Sequence, residues 1–88
     1  MEENVIIIGK KPMSRYIITL QTLMAKRVPE IIVKARGNAI VKAINLAEFA
    51  KRVHNINYEL QVKTEEFTDE ATSRKRFVSA VEILIKAK

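Results

Sequence analysis

Two short apolar runs, Val5-Ile6-Ile7-Ile8 and Ile31-Ile32-Val33, are each followed by a basic turn and then by apolar residues at helical spacing. This doubled unit restricts the fold more than any other feature of the chain. A strand, a crossover helix and a second strand of one sheet run parallel, with a right-handed connection in nearly all cases. The turn after each strand therefore leaves the same edge of the sheet. The first turn is Gly9-Lys10-Lys11-Pro12 and the second is Lys34-Ala35-Arg36-Gly37-Asn38. Neither following helix has Asp or Glu in its first turn, where the partial positive charge of a helix N-terminus favours a carboxylate. Cations gathered there without an internal anion point to an external one. Phosphate fits both the charge and the orphan N–H groups.

The rest of the pattern fills in around this unit. Asn4–Ile8 is apolar on both faces, which predicts a strand in the middle of a sheet. Pro12 suits the first position of a helix. Met13, Ile17, Leu20 and Met24 then recur at helical spacing, widened by Tyr16 and Leu23, to about Arg27. Pro29 blocks continuation. Ile31–Ala35 predicts a second buried strand. Gly37 or Asn38 is placed to cap a second helix, with Ile40, Ala43, Ile44 and Ala47 on its inner face and an end near Val53. Asn55 and Asn57 mark its exit.

Periodicity then switches to alternation. Ile56, Tyr58, Leu60 and Val62 share one face, and Asn57, Glu59, Gln61 and Lys63 the other. Phe77, Ser79, Val81, Ile83 and Ile85 alternate in the same way. The polar stretch Thr64–Lys75 between them reads as the mobile tip of a long antiparallel hairpin. The element order is β-α-β-α-β-β.

At 88 residues the chain predicts one small domain, 1–88, whose core is small enough that association with a second copy is an attractive way to bury more surface. Net charge is +6, which points to a polyanion. The excess lies between Gly9 and Ala47, where Lys10, Lys11, Arg15, Lys26, Arg27, Lys34, Arg36 and Lys42 face Glu30 alone. With no cysteine, disulfides and cysteine-based zinc sites are excluded, and an intracellular location is expected. No apolar run approaches the roughly 20 residues that span a bilayer. The acidic start Met1-Glu2-Glu3-Asn4 is unlike a signal peptide, so the chain reads as cytoplasmic and full length, with no membrane partner.

These residues resemble a known family. Asn4-Val5-Ile6-Ile7-Ile8-Gly9-Lys10-Lys11-Pro12, with Tyr16 following, is similar to the signature of Alba, the small archaeal chromatin protein. Lys34-Ala35-Arg36-Gly37-Asn38-Ala39-Ile40-Val41-Lys42-Ala43 resembles its second signature, and Phe77–Lys88 its last strand. The resemblance implies an α/β two-layer sandwich similar to the C-terminal domain of translation initiation factor three. Its mixed four-stranded sheet carries two helices and a long hairpin arm. The resemblance also implies a homodimer that binds double-stranded DNA, and often RNA, with little sequence preference. Lys10, Lys11 and Arg36 are the residues it implies as backbone contacts. The chain departs from the family pattern at Asn38, where many relatives have a second basic residue. It departs again at His54, where some relatives have an aromatic that stacks dimers side by side. In the arm, Glu65, Glu66, Asp69 and Glu70 balance Lys63, Arg74, Lys75 and Arg76.

The candidate nucleic-acid-binding residues are Lys10, Lys11, Arg15, Arg36, Asn38, Lys42, Arg74, Lys75 and Arg76. Lys10 and Lys11 alone read equally as solvated surface charge; their pairing with Arg36 at one sheet edge makes the phosphate reading the stronger. Arg15 and Lys42 extend the patch from the two helices. Arg74, Lys75 and Arg76 either grip phosphates as the arm follows a groove or belong to a solvated loop whose charges cancel. Lys26, Arg27, Lys51 and Arg52 lie at helix C-termini, where the macrodipole favours cations.

One histidine without cysteine supports neither a zinc site nor a catalytic triad. The adjacent acids Glu65-Glu66 and Asp69-Glu70 sit on a polar tip with no apolar pocket to shift their pKa values. The chain is therefore expected to be no enzyme and to need no cofactor or metal. An RNA-binding subunit of a ribonuclease P-like particle, or an RNA chaperone, is the alternative ligand reading. An enzyme acting on a phosphorylated small molecule is a third. A nucleoid-associated protein and acetylation of Lys10 or Lys11, by an acetylase opposed by a deacetylase, complete the expectation.

Overall fold

The computed structural model describes residues 4–86. The elements are β1 (Val5–Ile7), α1 (Met13–Ala25), β2 (Glu30–Arg36), a 3₁₀ turn (Gly37–Ala39), α2 (Ile40–His54), β3 (Asn57–Thr68) and β4 (Lys75–Lys86). The sheet order is β1-β2-β4-β3. β1 and β2 are parallel, with Ile6 opposite Val33, and the other two pairings are antiparallel. Both helices pack on one face of the sheet. Ile6, Ile8, Ile31, Val33, Ala35, Val81, Ile83 and Ile85 point into that layer, against Tyr16, Leu20 and Leu23 of α1 and Ala43, Leu46, Ala47 and Ala50 of α2. This is the mixed four-stranded α/β sandwich expected from the sequence.

Four local expectations are corrected. β1 is an edge strand and not a central one, and Ile7 is 72% exposed on the face that carries no helices. An apolar run on both faces reflects a sheet whose open side also holds the part-buried Ile32 and Leu84 of neighbouring strands, not a second covering layer. Second, Pro12 stands just before α1 with an extended ψ of 152°, so the helix begins at Met13. It ends at Ala25, two residues short of Arg27. There Arg27 takes a left-handed φ of 58°, Val28 N–H bonds the Leu23 carbonyl and Arg27 N–H bonds that of Met24. That double bond pattern closes a helix end even without glycine.

Third, neither Gly37 nor Asn38 supplies a side-chain cap to α2. Gly37, at φ 51°, instead opens a 3₁₀ turn in a left-handed conformation that a side chain disfavours, and α2 follows from Ile40. The helix closes at Asn55, also left-handed.

Fourth, the hairpin is paired much further than its polar sequence predicts. The ladder runs to Thr68 opposite Lys75, leaving only Asp69–Arg74 as the tip. Ser73 N–H bonds the Asp69 carbonyl, Asp69 N–H bonds the Arg74 carbonyl, and Asp69 Oδ1 accepts from Ala71 N–H. Pairing of β4 with β2 stops at Arg36 opposite Ala80. Thr64–Thr68 and Lys75–Ser79 therefore project as a free two-stranded arm of roughly 17 Å before the turn. It stretches the molecule to 47 × 23 × 22 Å.

Candidate nucleic-acid interface

The two basic turns meet at one rim. Ile8 N–H bonds the Lys34 carbonyl at 2.9 Å, which carries the parallel ladder up to the point where both strands end. Tyr16, on the buried side of α1, sends its hydroxyl up into the first turn, accepting from Gly9 N–H at 2.7 Å and Lys11 N–H at 3.3 Å. Lys42 of α2 reaches across from the second unit. Its ammonium donates to the Lys11 carbonyl at 2.8 Å and the Gly9 carbonyl at 3.4 Å, and lies 5.8 Å from the Tyr16 ring centre. The polar backbone groups of Gly9 and Lys11 are thus satisfied from below. The Lys10 and Lys11 side chains are left facing solvent.

Arg36 closes the last residue of β2 beside this turn and remains 62% exposed. Asn38 sits exposed on the 3₁₀ turn, and Arg15 is exposed on the first turn of α1. Neither helix has an acidic residue in its first turn and neither receives a side-chain cap. Arg15 N–H bonds the Pro12 carbonyl and Ile40 N–H the Gly37 carbonyl, and the N–H groups left over at each start lie next to the basic turns. Lys10, Lys11 and Arg15 have no carboxylate partner among the described residues.

Not every predicted residue offers its charge in the same way. Lys42 is committed to the turn it braces, so it shapes the patch rather than presenting a free ammonium. Lys75 is paired with Glu66 across the arm at 3.4 Å, and both ends of that pair are well exposed. Arg74, in the turn at the tip, and Arg76, one residue nearer the body than Lys75, are exposed and without an ion-pair partner among the described residues. Glu65 and Glu66 point to opposite faces of β3 and do not form a carboxylate pair.

The open face of the sheet is different in character. Its ion pairs are internal: Arg36–Glu65 at 3.0 Å, Lys63–Glu82 at 3.9 Å and Lys86–Glu59 at 3.4 Å. A shallow groove of about 460 Å³ there is lined by Ile7, Lys34, Arg36, Lys63, Glu65 and Glu82 among others. Apart from Arg36, which stands where this face meets the rim, its acids and bases largely cancel, so the rest of the face has little to attract a polyanion. The uncompensated positive charge is on the rim; the arm adds the exposed Arg74 and Arg76 beside the acids of its tip.

Tyr16 and Lys42 are the functional residues whose roles sequence reasoning misses. Tyr16 sits within an apolar stripe, where the need of its hydroxyl for a partner is the available signal. For Lys42 the sequence carries no such signal. His54 lies at the end of α2 with its ring edge on Phe49 at 6.2 Å, and its Nε2 is buried without a partner among the described residues. Burial and the neighbouring Glu48 carboxylate raise the Tyr58 pKa above its usual value. No cluster of three metal-ligating side chains occurs among the described residues, and no helix there is long and apolar enough to cross a membrane.

Comparison with known proteins places this geometry. The family model for Alba matches residues 4–68, which takes in both basic turns, both helices and the outgoing strand of the arm. The chain belongs to the Alba family. A DNA/RNA-binding protein Alba from Methanocella arvoryzae is 35% identical over 88 residues, covering 97% of this chain and 91% of the relative. One of the same description from Thermoplasma volcanium is 36% identical, covering 96% of each. Neither is described as an enzyme. The solved structure of Alba from Thermoplasma volcanium superimposes with a TM-score of 0.82 at 32% identity, covering 94% of this chain and 99% of that one. A Trypanosoma brucei Alba protein shares the fold, with a TM-score of 0.74 at 18% identity.

Proposed function

We propose that this protein is an archaeal chromatin protein, a homodimer that binds double-stranded DNA with little sequence preference and helps to package it. The observation that carries the reading is the shared rim. Lys10, Lys11, Arg15 and Arg36 stand beside two uncapped helix N-termini, with the first turn braced from beneath by Tyr16 and Lys42. The cations hold phosphate oxygens and the helix ends add N–H donors. Such contacts position the protein without reading bases, so binding tolerates many sequences. Arg74 and Arg76, carried by the arm, take phosphates further along the duplex.

A second copy completes the binding surface. Leu60 and Val62 pair with Ile83 and Val81, so they lie on the helix side of the sheet, yet Val62 is 64% exposed. Phe77, on the same side of β4, is 66% exposed. These residues extend the apolar face beyond the cover of the protein's own helices. A two-fold partner seated there buries them and sets two rims side by side with an arm on each flank. Acetylation of Lys10 or Lys11 removes one rim charge and weakens the grip, which makes an acetylase and a deacetylase natural regulators. Nucleoid association in the cytoplasm follows from the ligand.

The relatives' description as DNA/RNA-binding favours RNA as the second reading, with a role in a ribonuclease P-like particle or as a chaperone. Competition between matched DNA and RNA duplexes at one salt concentration separates the two. The DNA reading expects the DNA duplex to displace RNA at equal or lower concentration. An RNA preference of tenfold or more makes RNA the ligand, and absence of binding to either duplex removes both readings.

A further inference from the structure

We infer that Glu65 and Phe67 are positioning residues that hold Arg36 ready for a phosphate. The inference rests on the phosphate-binding reading of the rim and adds the part played by the base of the arm. Arg36 is the only rim cation that is paired among the described residues, and its partner comes from the arm. Its Nε donates to Glu65 Oε1 at 3.0 Å, and its guanidinium carbon lies 5.4 Å from the centre of the Phe67 ring.

Glu65 and Phe67 are two residues apart on β3, so they share the open face and take the guanidinium at two points. A flexible arginine loses side-chain freedom whenever it binds, and here the arm has already removed much of it. The Nε hydrogen bond leaves the two terminal amino groups unused among the described residues, on a side chain that is 62% exposed. Those two groups are the fork that grips two phosphate oxygens at once. The contact also ties arm to body, since Arg36 ends β2 while Glu65 projects beyond the last β2–β4 pair. A phosphate bound at Arg36 thereby fixes the direction in which the arm leaves.

The carboxylate has an opposing effect, because it lowers the charge that Arg36 offers. Two substitutions separate the contributions. Glu65→Gln and Glu65→Ala remove the same charge, but only glutamine keeps an oxygen that accepts from Nε. Positioning therefore predicts that Glu65→Gln binds a short duplex about three- to tenfold more tightly than Glu65→Ala. The gap should close when Arg36→Ala is added to both. Equal affinities for the two variants would mean that Glu65 acts only through its charge and would overturn the inference. A gap that persists without Arg36 overturns it too, in favour of a purely structural role for Glu65 in the arm.

A second readout needs no nucleic acid. The Arg36 Nε–H proton resonance should be sharp in the parent and in Glu65→Gln, and lost to solvent exchange in Glu65→Ala. An equally exchanging proton in all three means the arm does not hold the guanidinium. Should duplex binding survive removal of Lys10, Lys11 and Arg36 together, the rim reading itself fails. In that case the resonance still reports whether the arm restrains Arg36.

Discussion

Replacing Lys10, Lys11 and Arg36 together with alanine should lower duplex affinity at least about a hundredfold at low salt while leaving the fold intact. The three side chains are exposed, and the backbone contacts that hold the first turn come from Tyr16 and Lys42, which the change leaves in place. In the proposed dimer the change removes six cations. If the dimer neutralises roughly six to eight phosphates, log K falls with log salt at a slope of about −5 to −7; stripped of the six, the slope should flatten to between about 0 and −2. A change in slope matters more than a change in affinity, because it counts displaced counterions rather than general damage. A triple variant with unchanged affinity and slope means that the duplex lies elsewhere.

Turning Val62 or Phe77 to glutamate should abolish the dimer and, through it, most of the duplex affinity. Both residues are already more than half exposed in the single chain, so the charge costs the folded protomer little. At a two-fold contact the same carboxylate is desolvated against apolar neighbours and set beside its own symmetry mate. Sedimentation equilibrium should show a folded monomer. Losing the second rim removes the gain from bivalent engagement, on the order of a hundredfold or more. If the variants stay dimeric, the copies meet on another face; if they become monomeric with full affinity, one rim suffices.

The fold was legible to the extent that it rests on apolar periodicity and chain crossing. The doubled strand–turn–helix unit made β1 and β2 parallel and brought Lys10, Lys11 and Arg36 to one edge; the structure pairs the two strands directly and has both turns at that edge. What periodicity does not encode was misread. The position of β1 depends on which strand β4 pairs with, and an all-apolar tetrapeptide looks the same at an edge lying over a groove as in the middle of a sheet. In the outer arm, Thr64–Thr68 against Lys75–Ser79, the few apolar residues fall on both faces, Phe67 and Val78 on one and Phe77 on the other, and β3 there shows no alternation. It is held instead by ladder hydrogen bonds, a closed turn at Asp69–Arg74 and the Lys75–Glu66 pair.

The candidate site was legible as charge and position but not as architecture. A lysine that offers its ammonium to solvent and one that spends it on two carbonyls have the same letter. Only the crossing of α2 behind the first turn distinguishes Lys42 from Lys11. In the same way, the pairing of Arg36 with Glu65 joins residues far apart in sequence through the register of β2, β4 and β3.

The central claim, that the phosphate backbone is held by the rim and the arm arginines and not by the body of the open sheet face, is tested most directly by titrating a short DNA duplex into isotope-labelled protein. Amide and side-chain resonances of Lys10, Lys11, Arg36, Gly37, Asn38, Arg74 and Arg76 should shift, while those of Ile32, Lys63, Glu82 and Leu84 stay where they are. Shifts concentrated on the open sheet face, with the two crossover turns silent, would contradict the account.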